Sequence, residues 1–366
     1  MEKLKVAVLG ATGMVGQRFI EALVDHPYFE IGALAASAGR GGVRYADTGR
    51  WRLDAELPEE IGDMKLITME VEEIKKAGVS IAFSALPSEI ADDLERALAH
   101  EGIAVFSNAA SHRMDPDVPL LIPEINHETV DMVKGRRGFI ITNANCSTTG
   151  LAIPLKVLEP LGITRVFVST YQAISGAGYP GIPSMDIMGN VVPYIKKEEE
   201  KIEIEAKKIL GSYDPKAKRV TDADFQVHAS CMRIPVIDGH MEAAEVEVQN
   251  RPDVEQVVEL MESFEAPEHV RSLPTAPERP VIYLREPDRP QHRYDVNAGR
   301  PHRAWGMAVT VGRAKVVDNY VRVVLLSHNT RRGAAAGSVL NAELAYEKGC
   351  FDYVSDAAMV SSSGVE

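Results

Sequence analysis

The residue best placed for chemistry is a cysteine that follows a predicted buried strand. Residues 139–142 are apolar and mostly β-branched, which is typical of a strand inside a parallel sheet. Small hydroxyl residues at 147–149 precede apolar residues at helical spacing, and this order indicates a helix start. Cys146 is therefore predicted to lie where the strand turns into a helix. Its sulfur would face unpaired backbone N–H groups and the positive end of the helix dipole.

A thiol in this position can serve as a nucleophile. A free thiol has a pKa of about 8.5, and a helix N-terminus can lower this value to roughly 3.5–7.5. We therefore expect Cys146 to be a thiolate, with Asn145 and Ser147 as polar neighbours. The alternative is a structural cysteine that acts as a small hydrophobe. That alternative accounts for burial but not for the two polar neighbours.

A glycine-rich turn near the N-terminus predicts a dinucleotide site. Residues 4–10 are typical of a strand, and residues 17–25 are typical of a helix. Between them, a glycine turn would let the backbone approach a pyrophosphate at the helix N-terminus. The spacing is GxxGxxG, one glycine away from GxGxxG, and a turn used only for close packing is the alternative. The predicted cofactor residues here are Gly10, Thr12, Gly13, Met14, Val15 and Gly16.

The end of the second predicted strand bears on which dinucleotide binds. An NAD site usually places an acidic residue there, about twenty residues after the glycines, to hold the ribose 2′-hydroxyl. Residues 32–44 contain no acid but do contain Ser37, Arg40 and Arg44. A serine beside a cation suits a 2′-phosphate, so the sequence favours NADP(H). The alternative is that both arginines only solvate a glycine-rich loop.

Further apolar runs predict the rest of an N-terminal domain. Residues 79–84 and 103–106 continue a parallel sheet, with a helix over 87–100 between them. A polar loop over 107–114 then lies at a strand carboxyl end, where doubly wound sheets bind ligands. Arg113 in this loop could bind an anion or simply cap the loop at the surface. The predicted class is α/β, with an N-terminal Rossmann-like doubly wound parallel sheet.

The pattern changes after residue 163. Longer, partly alternating strands predict an α+β catalytic and dimerisation domain with a large mixed sheet. We predict an NADP-binding domain over 1–145, completed by a C-terminal helix over about 331–360, and a catalytic and oligomerisation domain over 146–330. The tail over 361–364 is expected to be disordered. The strands are expected over 166–171, 225–234, 241–249, 281–284, 306–313 and 320–327, and the helices over 196–210, 253–264 and 331–348.

Composition excludes several classes of protein. The 366 residues carry 40 Lys and Arg against 53 Asp and Glu, a net charge of −13, which disfavours nucleic acid or an anionic membrane as partner. No apolar run has the length of a membrane span, and no secretory segment precedes the first strand. Three widely spaced cysteines do not form a disulfide framework, so we expect a reducing, cytoplasmic location. No metal-ligand motif is present, and we expect no metal.

Five further motifs follow the glycine turn along the chain. They are Asn-Cys-Ser-Thr at 145–148, Gln172 with Ser-Gly-Ala-Gly at 175–178, Glu-Glu-Glu-Lys at 198–201, Arg-Ile-Pro-Val-Ile-Asp-Gly-His at 233–240 and Asn-Thr-Arg-Arg-Gly-Ala-Ala at 329–335. Together with the glycine turn, and over nearly the whole chain, they resemble the aspartate-β-semialdehyde dehydrogenase family, in its archaeal and fungal branch. The resemblance implies an NADP-dependent reductive dephosphorylation of β-aspartyl phosphate to aspartate β-semialdehyde, in the biosynthesis of lysine, threonine and methionine.

The resemblance also assigns catalytic roles. Cys146 matches the nucleophile that forms a thioester, and His240 matches the acid/base residue, for which an imidazole pKa near 6.5 is suitable. Gln172 matches the residue that orients the thioester. Arg233 matches the residue that holds the substrate α-carboxylate through two hydrogen bonds.

Binding roles follow in the same way. Glu198 matches a residue near the substrate ammonium group, while Lys201, Arg113 and Asn145 match a phosphate pocket. Aspartate semialdehyde and phosphate are thus the expected small-molecule partners, and a homodimer or homotetramer is the expected assembly. Outside the glycine turn, the cofactor residues assigned are Ser37, Arg40, Ser84, Leu86, Ser175, Gly178 and Asn329.

Two departures and two alternatives stay open. Arg40 lies one position beyond the family's usual arginine, which weakens the NADP prediction, and the basic segment 291–305 matches no motif. That segment is expected to be a solvated or subunit-facing loop, with recognition of a phosphate-bearing substrate as the alternative. A related reductase could instead act on an acyl-CoA such as malonyl-CoA or on another acyl phosphate. A non-catalytic dinucleotide sensor is an alternative of a different class.

Overall fold

The computed structural model describes residues 3–353, and its first layer is a six-stranded parallel sheet. The strand order is β3-β2-β1-β4-β5-β6, so the chain winds outward in both directions from β1. This confirms the predicted Rossmann-like sheet; the expected tail over 361–364 lies outside the described residues. The strands are β1 (Leu4–Leu9), β2 (Phe29–Ala36), β3 (Ile67–Thr68), β4 (Ile81–Ser84), β5 (Ala104–Ser107) and β6 (Phe139–Thr142).

Helices flank this sheet and bury their apolar faces against it. The first helix begins at Met14, three residues before its predicted start, because the glycine turn itself ends at Gly13, which accepts the Gln17 N–H at 3.0 Å. The two-residue strand β3 and its neighbouring short helices have too weak a pattern to be predicted. The helices are α1 (Met14–Leu23), α2 (Glu59–Asp63), α3 (Val71–Lys76), α4 (Ser88–His100) and α5 (Pro123–Asn126).

The second layer is a six-stranded mixed sheet, as predicted. Its order is β10-β7-β11-β14-β13-β12; the two outer pairs, β10–β7 and β13–β12, are parallel and the central pairs antiparallel. A separate hairpin is formed by β8 and β9. The strands are β7 (Ile163–Gln172), β8 (Ser212–Asp214), β9 (Arg219–Thr221), β10 (Gln226–Arg233), β11 (His240–Val248), β12 (Val281–Leu284), β13 (Val309–Val317) and β14 (Tyr320–Ser327).

The helices of the second half are α6 (Cys146–Leu158), α7 (Ser184–Ile187), α8 (Glu198–Ile209), α9 (Val254–Ser263), α10 (Glu268–Arg271), α11 (His292–Asp295) and α12 (Ala335–Glu347). Short 3₁₀ turns lie at Ala38–Arg40, Tyr45–Thr48, His127–Met132, Glu159–Leu161, Ile174–Ala177 and His302–Ala304. Among residues 3–353, no helix is long and apolar enough to cross a membrane.

Two helices join the layers. Helix α6 leaves the first sheet after β6 and packs on the inner face of the mixed sheet against β11 and β14. Helix α12 returns to pack against α1, and its buried Glu343 lies 2.8 Å from His26 Nε2. It starts at Ala335, four residues after its predicted start, because residues 331–334 form a turn. The division of domains at residue 145 stays a prediction.

Candidate active site

One cavity of about 830 Å³ brings together most of the predicted site residues. Its wall includes the glycine turn after β1 on one side and the N-terminus of α6 on the other. The predicted residues in the wall are Gly10, Thr12, Gly13, Met14, Val15, Ser37, Arg40, Leu86, Arg113, Asn145, Cys146, Gln172, Ser175, Gly178, Glu198, Lys201, Arg233 and Asn329.

Cys146 is the first residue of α6, where the sequence predicted a strand-to-helix turn. Asn145 is the N-cap residue, and its Oδ1 accepts the backbone N–H groups of Ser147 and Thr148, each at 3.0 Å. This cap satisfies two of the free N–H groups of the helix start. The cap and the closely packed Gly333 hold the thiol at the cavity wall, since a Cβ on Gly333 would lie 2.6 Å from Cys146 Cβ.

His240 lies directly behind the thiol. His240 is the first residue of β11 and has no exposed surface. Its Nε2 is 3.2 Å from Cys146 Sγ. The two residues are 94 positions apart in the chain, so only the packing of α6 on the mixed sheet brings them together. Sulfur and imidazole are close enough to exchange a hydrogen bond.

A backbone contact selects the form of this imidazole. The N–H of Ala173 donates to His240 Nδ1 at 3.1 Å, so Nδ1 is an acceptor. The hydrogen of the neutral ring is then on Nε2, which faces the sulfur. A second proton on Nδ1 would break the Ala173 bond. Burial further disfavours the charged ring and lowers the pKa of His240 to about 3.

The thiol pKa differs in direction from the sequence expectation. Burial raises the pKa of Cys146 to about 12, and the negative charge of Glu198 acts in the same direction. Arg233, Arg113 and the Ser147 N–H lower it, but they do not outweigh burial. A helix N-terminus alone therefore does not make this sulfur a thiolate, because sequence reasoning included the dipole and omitted the desolvation.

Arg233 and Gln172 complete the wall around the sulfur. Arg233 Nη1 donates to the carbonyl oxygen of Ala173 at 2.7 Å, and Gln172 Nε2 donates to Thr170 Oγ1 at 3.2 Å. A Cβ on Gly176 would lie 2.7 Å from Arg233 Nη1, so the glycine loop packs directly on the guanidinium. The rest of the guanidinium remains for a ligand carboxylate.

Helix α8 supplies charged residues to the cavity wall. Glu198 Oε1 accepts Asn145 Nδ2 at 2.9 Å, and Glu198 Oε2 lies 3.5 Å from Lys201 Nζ. Burial would raise the pKa of Glu198, but the bonds from Asn145 and Gln172 and the nearby charge of Lys201 hold it below its ordinary value. An ionised carboxylate here suits a ligand ammonium group. The Asn145 amide is already bonded at both ends.

Sequence reasoning missed Glu205, also on α8. Glu205 Oε1 accepts Arg113 Nη1 at 2.9 Å, and Oε2 accepts the backbone N–H of Asn145 at 2.6 Å. Its spacing from Glu198 and Lys201 places all three on one helix face, and this was the available signal. Arg113 also donates through Nη2 to the carbonyl of Asn108 at 2.7 Å.

The glycine turn fits a dinucleotide. A Cβ on Gly16 would lie 2.2 Å from the Gly10 carbonyl oxygen, so the turn can close only with glycine at this position. Arg40 Nη1 donates to Thr12 Oγ1 at 2.9 Å, which places a guanidinium over the turn beside Ser37. The displaced arginine thus still reaches the cavity, whereas Arg44 pairs with Asp47 and Asp63 outside it.

The loop after β14 holds together two other loops near the cavity. Asn329 Oδ1 accepts the Gly239 N–H at 2.8 Å, and its Nδ2 donates to Ser175 Oγ at 2.8 Å. Asn329 therefore ties the turn before His240 to the glycine loop that carries Gly178. Of the residues predicted to bind the cofactor, Asn329 and Ser175 are thus in direct contact.

Two predicted cofactor residues do not line the cavity. Gly16 packs against Gly10 behind the turn, and Ser84 has no exposed surface at the end of β4. A direct contact of Ser84 with a cofactor is therefore not supported, because the strand points its side chain inward. Arg50 and Arg52 do line the wall and were missed; Arg52 lies 5.2 Å from the centre of the Tyr179 ring.

The basic segment 291–305 lies away from the cavity wall. Its Arg303 donates to carbonyl oxygens at the end of α1, to Ala22 at 3.0 Å and to Asp25 at 2.9 Å. A guanidinium at a helix C-terminus satisfies free carbonyl groups and complements the dipole. Recognition of a phosphate-bearing substrate by this segment is not supported.

Family models match most of the chain. Residues 5–133 match the NAD binding domain of semialdehyde dehydrogenase, and residues 155–332 match the dimerisation domain of semialdehyde dehydrogenase. The first match covers the parallel sheet up to β5, and the second covers the whole mixed sheet.

Individual proteins are similar over their full length. The aspartate-semialdehyde dehydrogenase of Methanothermobacter thermautotrophicus is 47% identical over 94% of this chain and 99% of its own, and that of Archaeoglobus fulgidus is 45% identical over 93% and 98%. A crystal structure of aspartate semialdehyde dehydrogenase with NADP from Candida albicans superposes with a TM-score of 0.85 at 39% identity, covering 94% of this chain and 99% of that one.

Proposed function

The chain belongs to the aspartate-semialdehyde dehydrogenase family, and from this we propose that it is an NADP-dependent aspartate-semialdehyde dehydrogenase. It converts β-aspartyl phosphate to aspartate β-semialdehyde and phosphate, in the biosynthesis of aspartate-family amino acids. The observation that carries this proposal is the 3.2 Å approach of His240 Nε2 to Cys146 Sγ at the wall of a cavity that also contains the glycine turn.

The proposed reaction begins with a bond from sulfur to carbon. The sulfur of Cys146 attacks the acyl carbon of β-aspartyl phosphate and the carbon–oxygen bond to phosphate breaks. The thiol proton passes to the departing phosphate, which leaves as hydrogen phosphate, and a thioester remains. NADPH, when bound, supplies the hydride that reduces this thioester. The resulting tetrahedral oxyanion collapses to the aldehyde, and Cys146 leaves as the thiolate and takes up a proton from solvent.

His240 acts as a hydrogen-bond donor in this scheme. With Nδ1 held by Ala173, its Nε2–H stabilises the negative charge that develops on sulfur during attack and the oxyanion afterwards. Removal of the thiol proton by His240 would need a charged ring that both burial and the Ala173 contact oppose. Long-range ¹⁵N NMR of the imidazole tests this assignment: a proton on Nε2 supports it, and a proton on Nδ1 contradicts it.

The charged residues around the sulfur divide the substrate between them. Arg233 binds the α-carboxylate, Glu198 binds the ammonium group, and Gln172 orients the thioester. Lys201 and Arg113 face the departing phosphate, and Asn145 holds Glu198 and caps the helix beneath them. Burial of the phosphate charge without such cations would be costly.

The cofactor is NADP(H) in this proposal. Backbone groups of the glycine turn approach the pyrophosphate, and Ser37 with Arg40 binds the 2′-phosphate. Asn329 and Gly178 lie on the nicotinamide side. Two observations support this fit. A Cβ on Gly16 would clash with the Gly10 carbonyl oxygen, and the Arg40 guanidinium is held over Thr12.

Steady-state kinetics separate this function from the acyl-CoA alternative. With aspartate semialdehyde and NADP⁺, we expect reduction of NADP⁺ that depends on phosphate. With malonyl-CoA and NADPH, we expect a kcat/KM at least a hundredfold lower than with β-aspartyl phosphate and NADPH. This ratio corresponds to about 3 kcal/mol in transition-state binding. A faster reaction with malonyl-CoA would overturn the proposal in favour of the related reductase.

A single-turnover measurement separates the enzyme from a dinucleotide sensor. When the enzyme is mixed with NADPH and an excess of acyl phosphate, one equivalent of NADPH per site should be oxidised in the first turnover. Oxidation of NADPH should then continue in later turnovers. A sensor would bind NADPH without oxidising it.

We further propose a cytoplasmic homodimer formed through the mixed sheet. The family model over 155–332 is a dimerisation domain, and the three cysteines are free. Sedimentation at micromolar concentration distinguishes a dimer from a tetramer.

A further inference from the structure

Helix α8 carries a row of four charged residues on one face, and the proposed function uses only half of it. Glu198 and Lys201 line the cavity, whereas Glu205 and Lys208 continue the same face one and two turns further on. Both are almost completely buried, with 2% and 7% of their surface exposed. Buried charges at this density need partners.

Glu205 accepts hydrogen bonds from two residues that line the cavity near the proposed phosphate position. One carboxylate oxygen accepts Arg113 Nη1 at 2.9 Å, and the other accepts the Asn145 backbone N–H at 2.6 Å. Arg113 and Asn145 line the cavity and Glu205 does not. One carboxylate therefore joins the loop after β5 to the turn that carries Cys146.

The next turn of the helix holds the same loop by its backbone. Lys208 Nζ donates to the carbonyl oxygens of Arg113 at 2.6 Å, Asp115 at 2.9 Å and Val118 at 3.1 Å. The loop is thus fixed at its main chain by Lys208 and at its guanidinium by Glu205. Arg113 Nε is buried without a hydrogen-bond partner among the described residues.

We propose that Glu205 is a positioning residue for the phosphate group of the substrate, acting through Arg113. By holding Nη1, it orients the guanidinium so that the remaining N–H groups face the ligand anion, next to Lys201. Glu205 also accepts the backbone N–H of Asn145 and thereby holds the start of α6. The inference rests on the proposed function, which places the phosphate at Arg113.

The test is Glu205→Gln, with Glu200→Gln as the control. Glu200 is exposed on the same helix and does not line the cavity. Glutamine keeps the shape but loses the charge, and its amide nitrogen must face one of the two donors. We expect the KM for phosphate to rise about tenfold, as for loss of one charged hydrogen bond, while the KM for NADP⁺ changes less than about twofold. A merely structural role would instead lower the melting temperature and harm all kinetic constants together.

A double variant tests that Glu205 acts through Arg113. In an Arg113→Gln background, Glu205→Gln should raise the KM for phosphate by less than about threefold, because the guanidinium it orients is gone. Full additivity of the two effects would overturn the inference. If Glu205→Gln does not fold, Glu205→Asp, which keeps the charge but is too short to reach both donors, should show a smaller loss of the same kind. Wild-type behaviour of Glu205→Asp would then overturn it.

A binding readout separates this inference from the proposed function. The Kd of inorganic phosphate, measured by isothermal titration calorimetry on the protein with NADP⁺ bound, should rise about tenfold in Glu205→Gln and change less than about twofold in Glu200→Gln. Phosphate binding with this difference but without aldehyde oxidation would reject the proposed function and leave this inference supported. An equal Kd for the wild type and Glu205→Gln, or no phosphate binding to the wild type, would overturn the inference itself.

Discussion

The two sides of the cavity are built from different parts of the chain. On the cofactor side, the glycine turn presents main-chain groups. The few side chains on this side, such as that of Ser37 after β2, are exposed. On the thiol side, side chains that are buried or half-buried hold one another: Cys146 with His240, and Asn145 with Glu198. A main-chain site depends on where the backbone can pass, whereas a side-chain site depends on charges and burial.

This difference has a consequence for tolerance. The cofactor side should be most sensitive to added bulk at its glycines and less sensitive to loss of a charged side chain. The thiol side should be sensitive to the chemical identity of each buried group, because every one of them shifts the pKa of its neighbours.

Cys146→Ala should have the largest effect. Removal of the nucleophile should lower kcat by at least about a thousandfold, as for other covalent catalysts, while the Kd for NADPH stays within about twofold. Turnover and fluorescence titration of NADPH measure the two quantities. Loss of NADPH binding in this variant would mean that the two sides are not separable.

A matched pair of glycine substitutions compares bulk on the two sides. In Gly16→Ala the new Cβ would lie 2.2 Å from the Gly10 carbonyl, and in Gly333→Ala it would lie 2.6 Å from Cys146 Cβ. We expect Gly16→Ala to weaken NADPH binding about a hundredfold and Gly333→Ala to lower kcat by a similar factor with a much smaller change in binding. Equal effects of both variants on NADPH binding would contradict the comparison.

Arg233→Lys tests chemical identity on the thiol side. Lysine keeps the charge but cannot make two parallel bonds to a carboxylate, so we expect kcat/KM for aspartate semialdehyde to fall about ten- to hundredfold. The KM for NADP⁺ should stay close to the wild-type value. Unchanged catalytic efficiency would remove Arg233 from the substrate site.

Arg40→Ala should have a smaller effect, on the cofactor side. Loss of the guanidinium beside Ser37 should raise the KM for NADP⁺ about tenfold, as for one charged hydrogen bond, and leave the KM for NAD⁺ nearly unchanged. Measurements with both cofactors give the ratio. An equal change for NADP⁺ and NAD⁺ would show that Arg40 does not contact the 2′-phosphate.

Glu242→Gln should change the stability of the thiol side and not its catalysis. Glu242 has no exposed surface and no hydrogen-bond partner among the described residues, and burial, with a contribution from Glu198, raises its pKa well above 4.5. The folded protein therefore keeps a proton that the unfolded chain releases near pH 4.5, and stability falls above this pH by up to about 1.4 kcal/mol per unit.

Glutamine removes this dependence, because it cannot ionise. The variant should melt at a higher temperature than the wild type at pH 7.5 and at nearly the same temperature at pH 4. A constant difference between the two proteins at both pH values would show that Glu242 is not protonated in the folded state.

The sequence alone determined the parts of this protein that are local. A strand, three glycines and a helix within about twenty residues indicate a phosphate-binding turn, because backbone freedom at each glycine is what the turn requires. The place of Cys146 between strand and helix follows from residues on either side of it. The alternation of the later strands was enough to predict a mixed sheet. The family's motifs added the identity of His240, Arg233 and Glu198.

Only the tertiary structure decided the electrostatic state of the site. The partner of Cys146 is 94 residues away, and the Ala173 N–H that selects the His240 tautomer comes from a third segment. The thiol pKa rises rather than falls because burial, which depends on every surrounding element, outweighs the local helix dipole. Glu205 was missed for the same reason: its helix position is local, but the two groups it holds come from distant loops.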